Sequence, residues 1–185
     1  MKNFLLFFSV LITSLLLTAC ESGDRYDTMM DDDNSMMNHD TGGEMMLASD
    51  EDFISMMIPH HQEAIDTSKI TLEKSTNAEL KALAQNIIDA QTAEIAKMEA
   101  WGAEWFGTSF KASDDYMAMM SDLSDLEADE LDQTYIAGMI EHHEGAIMMA
   151  EQIKEITERS ELLELADAII ESQTNEVTLL KSWLE

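Results

Sequence analysis

The sequence predicts an all-α protein: an up-down-up-down four-helix bundle built from two duplicated helical hairpins, with a disordered tail before it. Three observations carry this. Apolar residues recur at i, i+3, i+4 and i+7 over four long windows, and no strand-type alternation occurs. The 185 residues include one proline and seven glycines, so little interrupts long helices. The chain also repeats itself. Positions 50–101 lie on 132–183 without a gap, and 19 of those 52 positions are identical. A unit of this size that cannot bury its apolar face alone can bury it against its copy.

Residues 1–19 read as a lipoprotein signal peptide. Lys2 is its basic start, and Phe4 to Leu17 is an apolar run too short to span a membrane comfortably. Leu17-Thr18-Ala19-Cys20 resembles the bacterial lipobox, which implies cleavage before Cys20 and a lipid on its thiol. Cys20 is the only cysteine, so lipidation leaves no thiol for a disulfide or a thiolate metal site. The expected location is the bacterial cell envelope, outside the cytoplasm, with the membrane as a partner through the lipid anchor. Residues 20–48 show no period and read as a disordered Met- and Asp-rich tether. Met29, Met30, Met36, Met37, Met45 and Met46 stand there in pairs, with His39 among them. Thioethers are soft ligands that favour Cu(I), so these are auxiliary metal ligands in this reading.

The bundle is expected over 49–185. Ser49 suits an N-cap, and Asp50, Glu51 and Asp52 suit the first turn of helix one. That helix runs to about Lys74, with Ile54, Met57, His61, Ile65 and Leu72 inward. Pro59 interrupts it and leaves the Ser55 carbonyl without an intrahelical donor. The second copy has Glu141 there. Helix two covers about 78–100. Its apolar stripe contains two polar exceptions, Gln91 and Glu94, repeated as Gln173 and Glu176. Buried polar groups are costly unless paired or bound to something. The linker, 102–128, carries a further methionine group, Met117, Met119 and Met120. Helix three covers about 129–157 and helix four about 160–183, with Ser160 as its cap.

Thirty-eight acidic residues against ten basic ones give a formal net charge of −28. Such a chain repels nucleic acid and anionic surfaces and draws cations. Metal ions are therefore the ligands its charge admits. Four of the five histidines lie in the paired stretches Met57-Ile58-Pro59-His60-His61 and Met139-Ile140-Glu141-His142-His143. The i, i+3, i+4 spacing puts Met57, His60 and His61 on one helix face, and likewise Met139, His142 and His143. These six are the candidate metal ligands. Counting back from the turns sets His61 level with Gln91 and Met57 level with Glu94 or Ile95. Gln91, Glu94, Gln173 and Glu176, with Asp50 and Asp132, are candidates for orienting the ligands. In an up-down-up-down bundle helices one and three start at the same end. Both sets would then converge near that end, with the linker methionines and the tail.

Three functions fit these residues: a metal-binding module, a ferritin-like di-metal oxidase, and a structural or interaction lipoprotein whose histidines lock helix register. A di-iron site wants Glu-x-x-His on two helices, but Met57, Ile58, Met139 and Ile140 stand where those glutamates belong. No nucleophile elbow, P-loop or zinc-protease helix occurs, so no catalytic residue is assigned and the protein is not read as an enzyme.

The stretches Asp50-x-x-Phe53-x-x-x-Met57-Ile58-Pro59-His60-His61-x-x-Ala64 and Asp132-x-x-Tyr135-x-x-x-Met139-Ile140-x-His142-His143-Glu144-Gly145-Ala146, with Gln91 and Gln173, resemble the bacterial domain-of-unknown-function family 305. The likeness covers about 49–184. It implies a ferritin-like four-helix architecture and a copper ion, rather than iron or zinc, as the bound metal. The function expected is copper binding or sequestration, as Cu(I) or Cu(II), with Ag(I) as a related occupant. A metal-exchange protein or a second copy of the chain would be its protein partner.

Overall fold

The computed structural model describes residues 47–184. Cys20, Met29, Met30, Met36, Met37, His39, Met45 and Met46 lie outside the described residues, as does the signal segment. The described chain forms α1 (Asp50–Lys74), α2 (Ala78–Phe106), α3 (Ala128–Ile156) and α4 (Ser160–Ser182). No strand occurs among the described residues, so the all-α four-helix class stands. None of these helices is long and apolar enough to cross a membrane.

Local chemistry sets most boundaries. Ser49 Oγ accepts the Asp52 N–H at 3.1 Å, and Asn77 Oδ1 accepts those of Glu79 and Leu80. The expected cap of α4 is different. Ser160 is already helical, and Arg159 holds the cap position without a side-chain cap bond. Its guanidinium is engaged elsewhere, 3.0 Å from Asp50 Oδ2 and over the Trp105 ring. α2 runs on to Phe106, beyond the expected end near residue 100. Gly102 lies inside it because a side chain there would overlap Phe110 of the returning linker. Packing also begins before the expected edge of the bundle. Leu47 is buried, and its N–H donates to Gln152 Oε1 of α3 at 3.1 Å.

The helix directions differ from up-down-up-down. Ser68, late in α1, shares a 2.7 Å hydrogen bond with Tyr135, early in α3. Arg159, after α3, pairs with Asp50 at the start of α1, and Lys74 at the end of α1 reaches the Leu126 carbonyl just before α3. α1 and α3 are therefore antiparallel, and the order is up-down-down-up. The linker, residues 107–127, can reach either end of the bundle, since an extended chain spans about 3.3 Å per residue. The antiparallel crossing makes the hairpins related by a pseudo-two-fold axis. The Ser68–Tyr135 pair has its image in Ala150 and Phe53, which share an apolar cluster. One half uses a hydroxyl pair where the other uses a methyl and a plain ring.

The linker is bound along α1 rather than loose. The Ser113 N–H donates to the Ser55 carbonyl at 2.8 Å, which is the carbonyl that Pro59 leaves free. Leu123 is fully buried in the second apolar cluster.

The image pair yields a test. Tyr135→Phe should cost about 1–2 kcal/mol by leaving a buried Ser68 hydroxyl unpaired. Adding Ser68→Ala should recover most of that, because the other half already folds with Phe53 and Ala150. Denaturant unfolding of the single and double variants checks it; a double variant no more stable than the single one would refute the account.

Candidate metal centre

The antiparallel crossing brings the two His-His pairs together at mid-length of α1 and α3, not at one end as the up-down-up-down order would have it. The His60 and His142 rings lie with centroids 3.7 Å apart. His61 and His143 flank them, each 6.2 Å from its neighbour. All four side chains are buried. His61 Nε2 meets Glu94 Oε2 at 2.8 Å with hydrogen-bond geometry. Its repeat, His143 Nε2, stands 2.8 Å from Glu176 Oε2. The expected level was Gln91 with His61. Side chains lean toward the N-terminus of their own helix, so Glu94, three residues further along α2, covers that level. Glu94 also borders a cleft of about 340 Å³ between α2 and α4, with Glu161 and Glu164 on its other wall.

Five ring nitrogens have no polar contact, both of His60 and the Nδ1 atoms of His61, His142 and His143, whereas Nε2 of His142 and of His143 each lie beside a carboxylate. Burial drives the His60 pKa well below its ordinary value, and the neighbouring His142, His61 and His143 push it the same way. Burial also lowers His143, against the opposing pull of Glu176. His60 and His143 are thereby held toward the neutral form. Neutral imidazole is the form that ligates metal.

The other predicted residues divide. Met57 and Met139 are fully buried one turn before their histidines, in the two separate apolar clusters. Gln91 and Gln173 are buried, each with an unpartnered amide oxygen. Asp50 does not reach the histidines: it begins α1, about 15 Å along the axis from His60, and binds Arg159. Asp132 lies equally far before His142, with a buried, unpartnered Oδ1. Met117 and Met119 border a cavity of about 240 Å³ beside His60. Met120 is separated from them and packs against Gly138.

Several site residues escaped the sequence reading. Glu63 Oε1 accepts the Met120 N–H and its Oε2 the Met119 N–H; Oε2 also takes the Tyr116 hydroxyl and lies 3.3 Å from His142 Nε2. Burial would raise its pKa, but contacts from His142, Tyr116 and the two amides hold it at about 2. Tyr116 packs edge-on against His60. Burial and the Glu63 bond raise its phenol above the usual range. Gly145, Met148 and Met149 complete the cavity. The signal that could have found them lies in the repeat. Gly145 occupies the position of Glu63, and Met148 and Met149 the positions of Asp66 and Thr67. Positions where the copies differ mark the face where their environments differ.

Two outcomes follow. Replacing Glu63 with Ala should free the linker while the helices persist, read as faster hydrogen exchange at the Met119 and Met120 amides; unchanged exchange would remove Glu63 as the anchor. The metal-free protein should also lose stability as pH falls through 6.5. His60 and His143 bind protons more weakly folded than unfolded, so acid favours the unfolded chain. A further loss is expected from pH 4.5 toward about 2, where the depressed Glu63 carboxylate protonates. Melting temperatures from pH 8 to pH 3 check the sign.

Comparison with known proteins agrees with this architecture. The family described as Domain of unknown function (DUF305) matches residues 50–184. CopM in the Cu(I)-bound form is 40% identical, with a TM-score of 0.67, covering 74% of this chain and 96% of that one. CopM in the Cu(II)-bound form is 39% identical, with a TM-score of 0.65, covering 75% and 97%. A DUF305 structure described as a secreted protein, from Streptomyces coelicolor, is 28% identical, with a TM-score of 0.65, covering 71% and 88%. Among curated proteins none matches significantly. The chain belongs to the family Domain of unknown function (DUF305).

Proposed function

We propose that the protein is a copper-binding carrier or store of the bacterial cell envelope, held there by a lipid on Cys20, and that its four-histidine centre takes Cu(I), with Ag(I) as an equivalent occupant. The observation that supports this is the set of buried imidazole nitrogens with no partner. Each such atom costs about 1–3 kcal/mol of desolvation unless something binds it. The duplicated motif keeps four of these rings together. A cation coordinated through the bare nitrogens offsets that cost.

Donor chemistry selects the ion. Among the described residues, no three His, Cys, Asp or Glu side chains stand close enough to hold an ion by themselves. Zinc in a closed site wants four such ligands, and di-iron wants bridging carboxylates. A closed-shell monovalent ion accepts few ligands and prefers imidazole and thioether. Met57 and Met139, one turn from the rings on the same faces, are thioethers able to complete the set. Glu94 and Glu176 hold His61 and His143 in place and set which nitrogen faces the ion. The excess of acidic residues raises the local cation concentration without discriminating among metals. CopM, at about 40% identity, has been solved with Cu(I), with Cu(II) and with silver bound. The secreted relative fits a location outside the cytoplasm. On this reading the protein holds and releases metal rather than turning over a substrate.

Titration with Cu(I) under reducing conditions, against a chromogenic competitor, tests the reading. His60→Gln with His142→Gln should abolish the tightest binding, and Glu94→Gln should weaken it ~10–100-fold with the fold intact. Met57→Leu with Met139→Leu preserves volume and should lower Cu(I) affinity while Cu(II) binding survives. Parent-like Cu(I) affinity in the histidine double variant would refute the proposal.

A further inference from the structure

The geometry points to a second soft-metal site, built from thioethers at the cavity beside His60, that receives the monovalent ion from solution and passes it to the buried rings. It rests on the reading of the histidine centre above and adds a place where the ion first binds. The cavity, about 240 Å³, has walls from two sources. The linker supplies Met117, Met119 and Tyr116; α3 supplies Met148 and Met149 across the space left by Gly145.

The thioethers form a gradient from water to the histidines. Met117 is 82% exposed, Met119 48% and Met148 37%, while Met149 is 3% exposed and His60 1%. Exposed methionines grouped in one place are unusual, since the side chain normally fills cores. Here they stand around an imidazole with both nitrogens unpartnered. A Cβ on Gly145 would stand 3.5 Å from Met119 Sδ and 3.5 Å from His60 Nε2. A soft thioether and a bare imidazole nitrogen thus face the same small gap, open because residue 145 has no side chain. The rim also carries Asp115, which attracts cations without binding soft ions strongly. Flexible, unbranched thioethers suit a site that must release its ion.

The two-fold related position shows that the gap is not a by-product of packing. There Glu63 fills the space beside His142 and anchors the linker. The repeat therefore keeps one side of the ring stack closed by a carboxylate and the other open to thioethers.

The test uses the protein carrying 13C-methyl methionine and 15N histidine, titrated with silver nitrate in chloride-free buffer and followed by NMR. With the first silver added, the methyl signals of Met117, Met119, Met148 and Met149 should shift, while that of Met120, packed on Gly138, should stay. Absence of those shifts, or an equal shift at Met120, overturns the thioether site. Shifts at the four methionines with none at His60, His61, His142 or His143 support the site and instead refute the histidine centre. Met117→Leu with Met119→Leu keeps volume and apolarity and should slow the histidine response several-fold. Gly145→Ala suits a helix interior, and the added methyl meets the flexible end of Met119 at 3.3 Å and His60 Nε2 at 3.5 Å, an ordinary contact distance. It keeps every thioether yet fills the gap, so the methionine shifts should remain while the His60 response slows several-fold. A His60 response as fast as in the parent, in either variant, overturns the transfer from thioether to ring.

Discussion

The close, tilted contact of His60 with His142 at the antiparallel crossing of α1 and α3 governs the rest of the molecule. In a two-fold duplication only residues near the axis meet their own copies. A motif repeated far from the axis makes two distant sites; the same motif on the axis makes one site with twice the ligands. The His-His pair lies there, so a single inherited pattern yields four rings in one place. Burial first, and then the neighbouring imidazoles, disfavour the charged form of His60 in a medium that screens poorly.

The crossing also dictates the linker's route. With α2 and α3 running in the same direction, the chain must return along the bundle to begin α3. It does so against α1, and each hold on it depends on something α1 does not share with α3. Pro59 removes a donor, and its orphaned carbonyl takes the Ser113 amide. Glu63 takes two further amides and a phenol. The second copy has Glu141 and Gly145 at those positions, one suited to an ordinary helix and the other leaving room. At these two positions the divergence of the halves follows from one loop lying on one side.

Much of this was legible in the sequence. Periodicity, Ser49, Asn77 and the gapless repeat locate four helices because those signals are local. The importance of the His-His pairs was legible from their duplication. Helix direction was not, since a linker of this length spans the bundle either way and no local preference chooses. The up-down-up-down order puts the histidines at one end of the molecule, whereas the antiparallel crossing puts them at mid-length; Asp50, on the same helix as His60 but at its start, forms an ion pair with Arg159. Met120 was grouped with Met117 and Met119 by proximity in sequence, yet an irregular segment turns neighbouring side chains to different surfaces. Glu63, Met148 and Met149 carry no signal in the repeat itself, because they stand at positions where the two copies differ.

The cleft bordered by Glu94 gives the molecule a property that neither hairpin has alone. The same four rings are bounded by thioethers beside His60 and by a carboxylate beside His61, and that carboxylate opens on a separate cleft between α2 and α4. A symmetric duplication would present identical surroundings on its related faces. This one has thioethers beside His60 and a carboxylate beside His61, so the fold has acquired a polarity: one buried cluster of rings meets chemically different surroundings in two directions.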